Sequence, residues 1–295
     1  MAGAGTRIDA RTALLERLID HAALFPPASM DMPSALAEDR AARQSPQAWM
    51  IGRFVCPASR LGELAEEVPL ADAPPLSVVL DGASGATEDD WAQALIDDWA
   101  AVADAIARGA DAVAAEAYLP SARPAPPTII AGRRAVACAV AYFELRPEDG
   151  WRDALPATIG ALAAVGARVK VRCGGAAVPP VDQLALVVAS CAQARVRFKA
   201  TAGLHHPVRA EEHGFLNLLA AAVFAHAHGV GAPALEPVLA ETDPGAFEIG
   251  PDRIAVCGHE ASAAQVGAAR AELFDGYGSC SWREPVEGLR ELGIL

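Results

Sequence analysis

The sequence predicts an α/β fold, a (β/α)8 barrel of the TIM type formed by residues 1–295 as a single domain, with a doubly wound open parallel sheet as the alternative. Three observations lead there. Short apolar runs that end in Pro, Gly or a polar residue alternate with Ala-rich stretches, which is the rhythm of repeated βα units. About eight such runs occur, and right-handed crossovers between that many parallel strands favour closure. No linker-like stretch longer than 122–127 interrupts them.

Taken in order, the expected strands are 22–25 before Pro26-Pro27, 50–56 before Pro57, 76–80 before Asp81-Gly82, and 112–118 before Leu119-Pro120. Then come 135–143, 167–172 before Gly174-Gly175, 196–201 before Gly203, and 272–277 before Gly278. Helices at 88–108, 151–165, 181–194 and 213–228 carry apolar residues at helical spacing. The segment 232–265 has room for an extra strand around 253–257. The apolar fraction of 53%, mostly Ala, Val and Leu with only 5% aromatics, suits close-packed helices on short buried strands.

The formal charge of −13 disfavours nucleic acid and anionic membranes as partners, since phosphate binding depends on an excess of Lys and Arg. Six scattered cysteines without a CxxC pair fit neither a zinc knuckle nor a disulfide framework. The first seven residues lack an apolar signal core, and no run of about 18 apolar residues occurs. These features lead us to expect a cytoplasmic protein acting on a small molecule, with no cofactor; a homo-oligomer is compatible with them.

The chain has 22 arginines and two lysines. Both lysines fall inside consecutive expected strands, in Arg168-Val169-Lys170-Val171-Arg172 and in 195–201. Side chains at i and i+2 share a face of a strand, so Lys170 and Arg172 look one way and Val169 and Val171 the other. Lys199 and Thr201 likewise oppose Phe198 and Ala200. The polar faces should look into the barrel mouth. Adjacent strands lie about 4.8 Å apart, close enough for each ammonium to lower the other's pKa. A lysine so lowered is a nucleophile for Schiff-base chemistry, which Arg cannot perform. The alternative role is a salt bridge from each lysine to a strand-end acid, Glu116 or Glu144.

Glu116 stands out because an unpaired carboxylate inside an apolar run is costly. Glycines gather after the last three strands, at Gly174-Gly175, Gly203 and Gly276-Tyr277-Gly278-Ser279. With Arg172, Thr201, Arg209 and Ser279 they form a candidate site for a phosphate or carboxylate. His205 and His206 are candidate acid/base groups. With His213 and with Glu116 or Asp81 they are also the candidate ligands of a metal-dependent alternative, although adjacent histidines point apart in an extended segment. Cys173, beside Arg172, reads as a small buried filler rather than an activated thiol. His226 and His228 read as helix-end surface groups.

The stretch Gly166-Ala167-Arg168-Val169-Lys170, followed by Phe198-Lys199-Ala200-Thr201-Ala202-Gly203-Leu204, resembles strands six and seven of the deoxyribose-phosphate aldolase family over about 45 residues. That resemblance implies a class I aldolase barrel, with Lys170 as the Schiff-base lysine and Lys199 as the partner that depresses its pKa. Arg172-Cys173-Gly174-Gly175 stands where such aldolases carry Thr-Ser-Thr-Gly, so a sugar phosphate is not implied with it. His205-His206-Pro207 has no counterpart there. The stretches 23–28 and 198–207 are also similar to a bacterial protein family with no known activity. The expected function is an aldolase-type lyase for a small carbonyl compound bearing phosphate or carboxylate. The alternatives are the metal-dependent enzyme and a non-catalytic anion-binding barrel.

Overall fold

The computed structural model describes residues 9–175 and 178–295. The amino-terminal stretch without a signal core lies outside the described residues. Eight parallel strands close into a barrel, so the open sheet is excluded. They are β1 (Ile19–His21), β2 (Ile51–Pro57), β3 (Leu76–Val79), β4 (Ala112–Tyr118), β5 (Ala141–Glu144), β6 (Arg168–Arg172), β7 (Phe198–Thr201) and β11 (Phe274–Ser279). Neighbours follow chain order, and β11 closes the ring between β7 and β1. The extra strand expected around 253–257 is the middle of a separate antiparallel sheet of β8 (Glu248–Ile249), β9 (Arg253–Val256) and β10 (His259–Ser262).

The helices are α1 (Ala10–Leu15), α2 (Met32–Gln44), α3 (Leu61–Glu67), α4 (Glu88–Ala107), α5 (Pro126–Ala135), α6 (Trp151–Ala164), α7 (Val181–Ala194), α8 (Phe215–His228), α9 (Ala232–Ala240), α10 (Ala263–Glu272) and α11 (Arg283–Glu291). Their starts carry local signals. Thr87 caps α4 through the Asp90 N–H, with three acids in the first turn. Ser262 and Gln265 form a reciprocal capping box on α10. The four expected helices all form, and α4, α6 and α8 differ from expectation by one or two residues at an end.

Three strand expectations shift, the last by two residues to Phe274–Ser279, because Glu272 ends α10 and Gly278 lies inside the strand. Residues 22–25 are a turn beyond β1, because the chain pairs with β2 and β11 only from Ile19 to His21. Residue 135 ends α5, 136–140 connect it to the sheet, and β5 begins only at Ala141. The outward strand residues and the helices make one hydrophobic core that includes Phe54, Trp91, Phe143, Phe198 and Phe224.

The barrel's interior differs from the branched aliphatic filling common in such folds. Asp20, Ser77, Glu116, Glu144, Lys170 and Lys199 are all buried. Alternation along β6 and β7 holds as expected, with Lys170 and Arg172, and Lys199 and Thr201, all lining the cavity at the carboxyl end of the strands. No described helix is long and apolar enough to cross a membrane.

Candidate active site

Lys170 and Lys199 lie directly opposite each other in the β6–β7 ladder. Their side chains meet on one carboxylate. The Lys170 Nζ is 2.8 Å from Glu116 Oε2, and Lys199 Nζ is 2.6 Å from Glu116 Oε1. Ser77 donates to the same Oε1 at 2.6 Å. Lys170 also contacts Glu144 Oε2 at 3.0 Å, and Lys199 donates to Asp20 Oδ2 at 2.6 Å. Bridged by a single carboxylate, the ammonium groups are well inside the about 10 Å over which charges interact at ordinary salt.

The electrostatics correct the expectation that each lysine lowers the other's pKa. Burial by itself pulls the Lys170 ammonium down, but Glu116 and Glu144 outweigh it and hold the group above the ordinary lysine range. For Lys199, burial is likewise outweighed, here by Asp20 and Glu116. Glu116 follows the same logic in reverse: burial would raise it, but the two lysines hold it well below the carboxylate range. The carboxylate sits between the cations, so their repulsion is not the leading effect. In the resting site both lysines are charged.

Above them opens a cavity of ≈590 Å³ lined by Glu116, Lys170, Lys199, Arg172 and His205, with Phe25, Pro26 and Pro27 on one wall. Arg172 donates through Nε to Glu144 Oε1 (2.9 Å) and through an η nitrogen to the Tyr118 hydroxyl (2.9 Å). Gly175, Thr201, Gly203 and Gly278 line the cavity too. Gly174 instead makes the contact that seats the loop. A Cβ there would come within 2.7 Å of the Gly203 backbone, so the turns after β6 and β7 touch backbone to backbone. Ala202, Gly203 and Leu204 all adopt positive φ (58°, 63° and 61°). Two of these are not glycines, and such stored strain belongs with functional turns more than with scaffold.

Other expected residues lie elsewhere. Arg209 turns away to His213, and its backbone N–H is held by Asn217. Ser279 is buried, and its hydroxyl donates to the Ser281 carbonyl. Neither lines the cavity; of the residues expected to hold an anion, Arg172, Gly175, Thr201, Gly203 and Gly278 do. His206 faces solvent, while His205 lines the cavity with its Nδ1 2.9 Å from Glu284. His213 is buried between Arg209 and the Pro179 carbonyl. Among the described residues no three His, Cys, Asp or Glu groups converge as a metal site, which breaks up the set of His205, His206 and Glu116. Asp81 is a loop acceptor for Ser59. Cys173 is fully buried, and burial pushes its thiol far up, as befits a filler.

Sequence reasoning alone misses Asp20, because the first apolar run it reads as a strand begins just after it, at residue 22. The signal was available: an acid inside the apolar run Leu18-Ile19-Asp20, the same pattern that singled out Glu116.

No family model and no curated protein matches the chain. A matching solved structure, described as "QR15, an Aldolase", is 12% identical, with 65% of this chain and 83% of that chain covered and a TM-score of 0.44. At that level of likeness the chemistry has to be argued from the site itself.

Proposed function

We propose that the chain is an aldolase-type lyase that forms a Schiff base between Lys170 and a small carbonyl compound bearing a phosphate or carboxylate. The observation that carries this reading is the meeting of the chain's two lysines on the two oxygens of buried Glu116, at the floor of a cavity at the carboxyl end of the strands. A salt bridge needed only for stability is served by Arg, which this chain uses almost everywhere else. Lys170 is the better nucleophile of the pair: it is 5% exposed against 1% for Lys199.

In the proposed reaction Lys170 first passes a proton to Glu116, whose other oxygen stays held by Lys199 and Ser77. The free amine adds to the carbonyl carbon, and the carbonyl oxygen takes up a proton. Loss of water then leaves a C=N bond. The protonated imine draws electrons as the bond between the α and β carbons breaks, while the β-hydroxyl gives up its proton and leaves as an aldehyde. The resulting enamine is protonated at the α carbon, and hydrolysis returns the Lys170 amine. His205, steadied at Nδ1 by Glu284, is the cavity's group for the proton of the β-hydroxyl. Arg172 and the glycine turns receive the substrate's anionic end.

The test is reductive trapping. Pyruvate, acetaldehyde and glyceraldehyde 3-phosphate are each incubated with the protein and cyanoborohydride, and the modified peptide is read by mass spectrometry. A single adduct on Lys170 is expected with at least one of them. Labelling of the wild-type chain no greater than that of Lys170→Arg removes Lys170 as the nucleophile, and labelling no greater than that of the double variant Lys170→Arg/Lys199→Arg, across the whole panel, ends the Schiff-base reading.

A further inference from the structure

Tyr118 ends β4 two residues beyond Glu116, so both side chains turn to the barrel's inner face, the tyrosine nearer the mouth. Tyr118 lines the cavity, and the Lys170 Nζ lies 5.7 Å from the centre of its ring. We infer that Tyr118 is a catalytic residue of the lyase: its hydroxyl donates the proton with which the substrate's carbonyl oxygen leaves as water. This role rests on the Schiff-base reading, and it fills a step to which that reading assigns no donor.

The direction of the hydroxyl follows from its neighbour. Arg172 is a donor only, and one of its η nitrogens donates to the Tyr118 oxygen at 2.9 Å. The phenolic hydrogen therefore points away from Arg172, and among the described residues it meets no acceptor. The cavity that Tyr118 lines is where a substrate oxygen can supply one. Both groups are pinned from behind. Glu144 holds the Arg172 Nε at 2.9 Å, and the Tyr118 backbone carbonyl accepts from the Trp91 indole at 2.9 Å.

Glu116 is placed to serve the nitrogen rather than the oxygen. It is buried at the cavity floor, and each of its oxygens meets a lysine. The substrate occupies the cavity, so the oxygen on its new tetrahedral carbon lies on the cavity side of the amine, where Tyr118 stands.

In the assigned step the nitrogen lone pair forms C=N as the C–O bond breaks, and the oxygen departs as water with the Tyr118 proton. The phenolate left behind keeps the Arg172 N–H at its oxygen, now as a bond between opposite charges. When water later adds to the imine carbon, the phenolate takes up its proton and the hydroxyl is restored.

The experiment uses the full chain and whichever of pyruvate, acetaldehyde and glyceraldehyde 3-phosphate labels fastest, with enough cyanoborohydride for imine formation to set the rate. Tyr118→Phe removes one oxygen and keeps the ring beside Lys170. Its adduct should form about a hundredfold more slowly. A small acid should replace the lost donor, so added imidazole at fixed pH and ionic strength should speed labelling of Tyr118→Phe and leave the wild-type rate unchanged. An undiminished rate in Tyr118→Phe, or a loss that imidazole does not restore, would overturn the role while wild-type labelling keeps the Schiff base. Should Tyr118→Phe fail to fold, the wild type alone decides: a labelling rate that climbs with imidazole would show a site without its own donor. Wild-type labelling no greater than that of Lys170→Arg/Lys199→Arg would instead remove the Schiff-base reading, and this role with it.

Discussion

At the carboxyl end of the barrel the buried cations are the two lysines, each held between two carboxylates. Lys170 lies between Glu116 and Glu144, and Lys199 between Asp20 and Glu116. At the amino end the cations are Arg53, Arg168, Arg197 and Arg270, gathered around Asp275 and Tyr142. Both ends bury charge, yet the chain spends its only lysines at one of them. Arg stays protonated under all ordinary conditions, whereas a buried lysine can give up its proton when a neighbour accepts it. The difference separates an end built to move protons from an end built to keep its charge. Tyr142 illustrates the second kind: burial and Asp275 push its phenol up to about 12, so it serves as a hydrogen-bonding post between arginines.

Exchanging the residue types across that divide should give the largest effects. Lys170→Arg keeps the charge opposite Glu116 and Glu144 but removes the deprotonatable amine, so the rate of adduct formation in the trapping assay should fall at least about a thousandfold. Arg168→Lys, one layer below on the same strand face, should create no new adduct site, because that layer offers no comparable carboxylate bridge between two lysines. An adduct at position 168 would erase the distinction between the two ends.

Glu116→Gln attacks the bridge itself. Two ammonium groups would then face a neutral amide in the interior, and loss of one partner from a buried ionic cluster costs about 3–5 kcal/mol. Urea unfolding measures it. The pH dependence has a definite sign. A carboxylate held below its ordinary range in the folded state contributes stability that is complete above that range and is lost as pH falls through the folded value. The gap between wild type and Glu116→Gln should therefore stay constant near neutrality and close only in strong acid. A smaller effect is expected at His205. Its replacement by Ala should slow aldehyde release from a β-hydroxy carbonyl substrate by about a hundredfold while leaving the Lys170 adduct in place. Equal losses in both assays would make His205 a structural group of the wall.

The sequence disclosed the carboxyl end better than the amino end, for a physical reason. Lysine is rare here, so two of them in consecutive strands were conspicuous, and strand alternation was enough to turn both inward. Glu116 was conspicuous for its apolar surroundings. The same alternation that turns Lys170 and Lys199 inward also turns Arg168 and Arg197 inward one layer deeper, but among 22 arginines they looked like ordinary surface charge. The barrel's closure was legible from the count of strands, whereas Asp20 was lost with the misplacement of the first strand by three residues. Arg209 and Ser279 were proposed from proximity in sequence to glycine turns, and a loop's side chains can face either way. Sequence spacing did not say which.

The sharpest remaining test of the carboxyl end concerns Lys199, whose role depends on the direction of its influence. If the two ammonium groups acted on each other directly, removing one would raise the pKa of the other by relief of repulsion. With Glu116 between them there is a second reason for the same sign: Lys199→Met leaves Glu116 Oε1 with only the neutral Ser77 hydroxyl, and Lys170 becomes the one cation on that carboxylate. Lys170, already held above the ordinary lysine range by Glu116 and Glu144, should rise further. The adduct rate depends on the free amine and so climbs with pH below that pKa. In Lys199→Met the same rate should be reached about one pH unit higher, a tenfold loss at fixed pH. The companion variant Lys199→Arg separates charge from proton transfer. It keeps a cation on Asp20 and Glu116, so its profile should stay near that of the wild type with the adduct still on Lys170. If Lys199→Arg instead abolishes the adduct while Lys170→Arg preserves it, the nucleophile is Lys199, and Glu116 passes the proton from the other side.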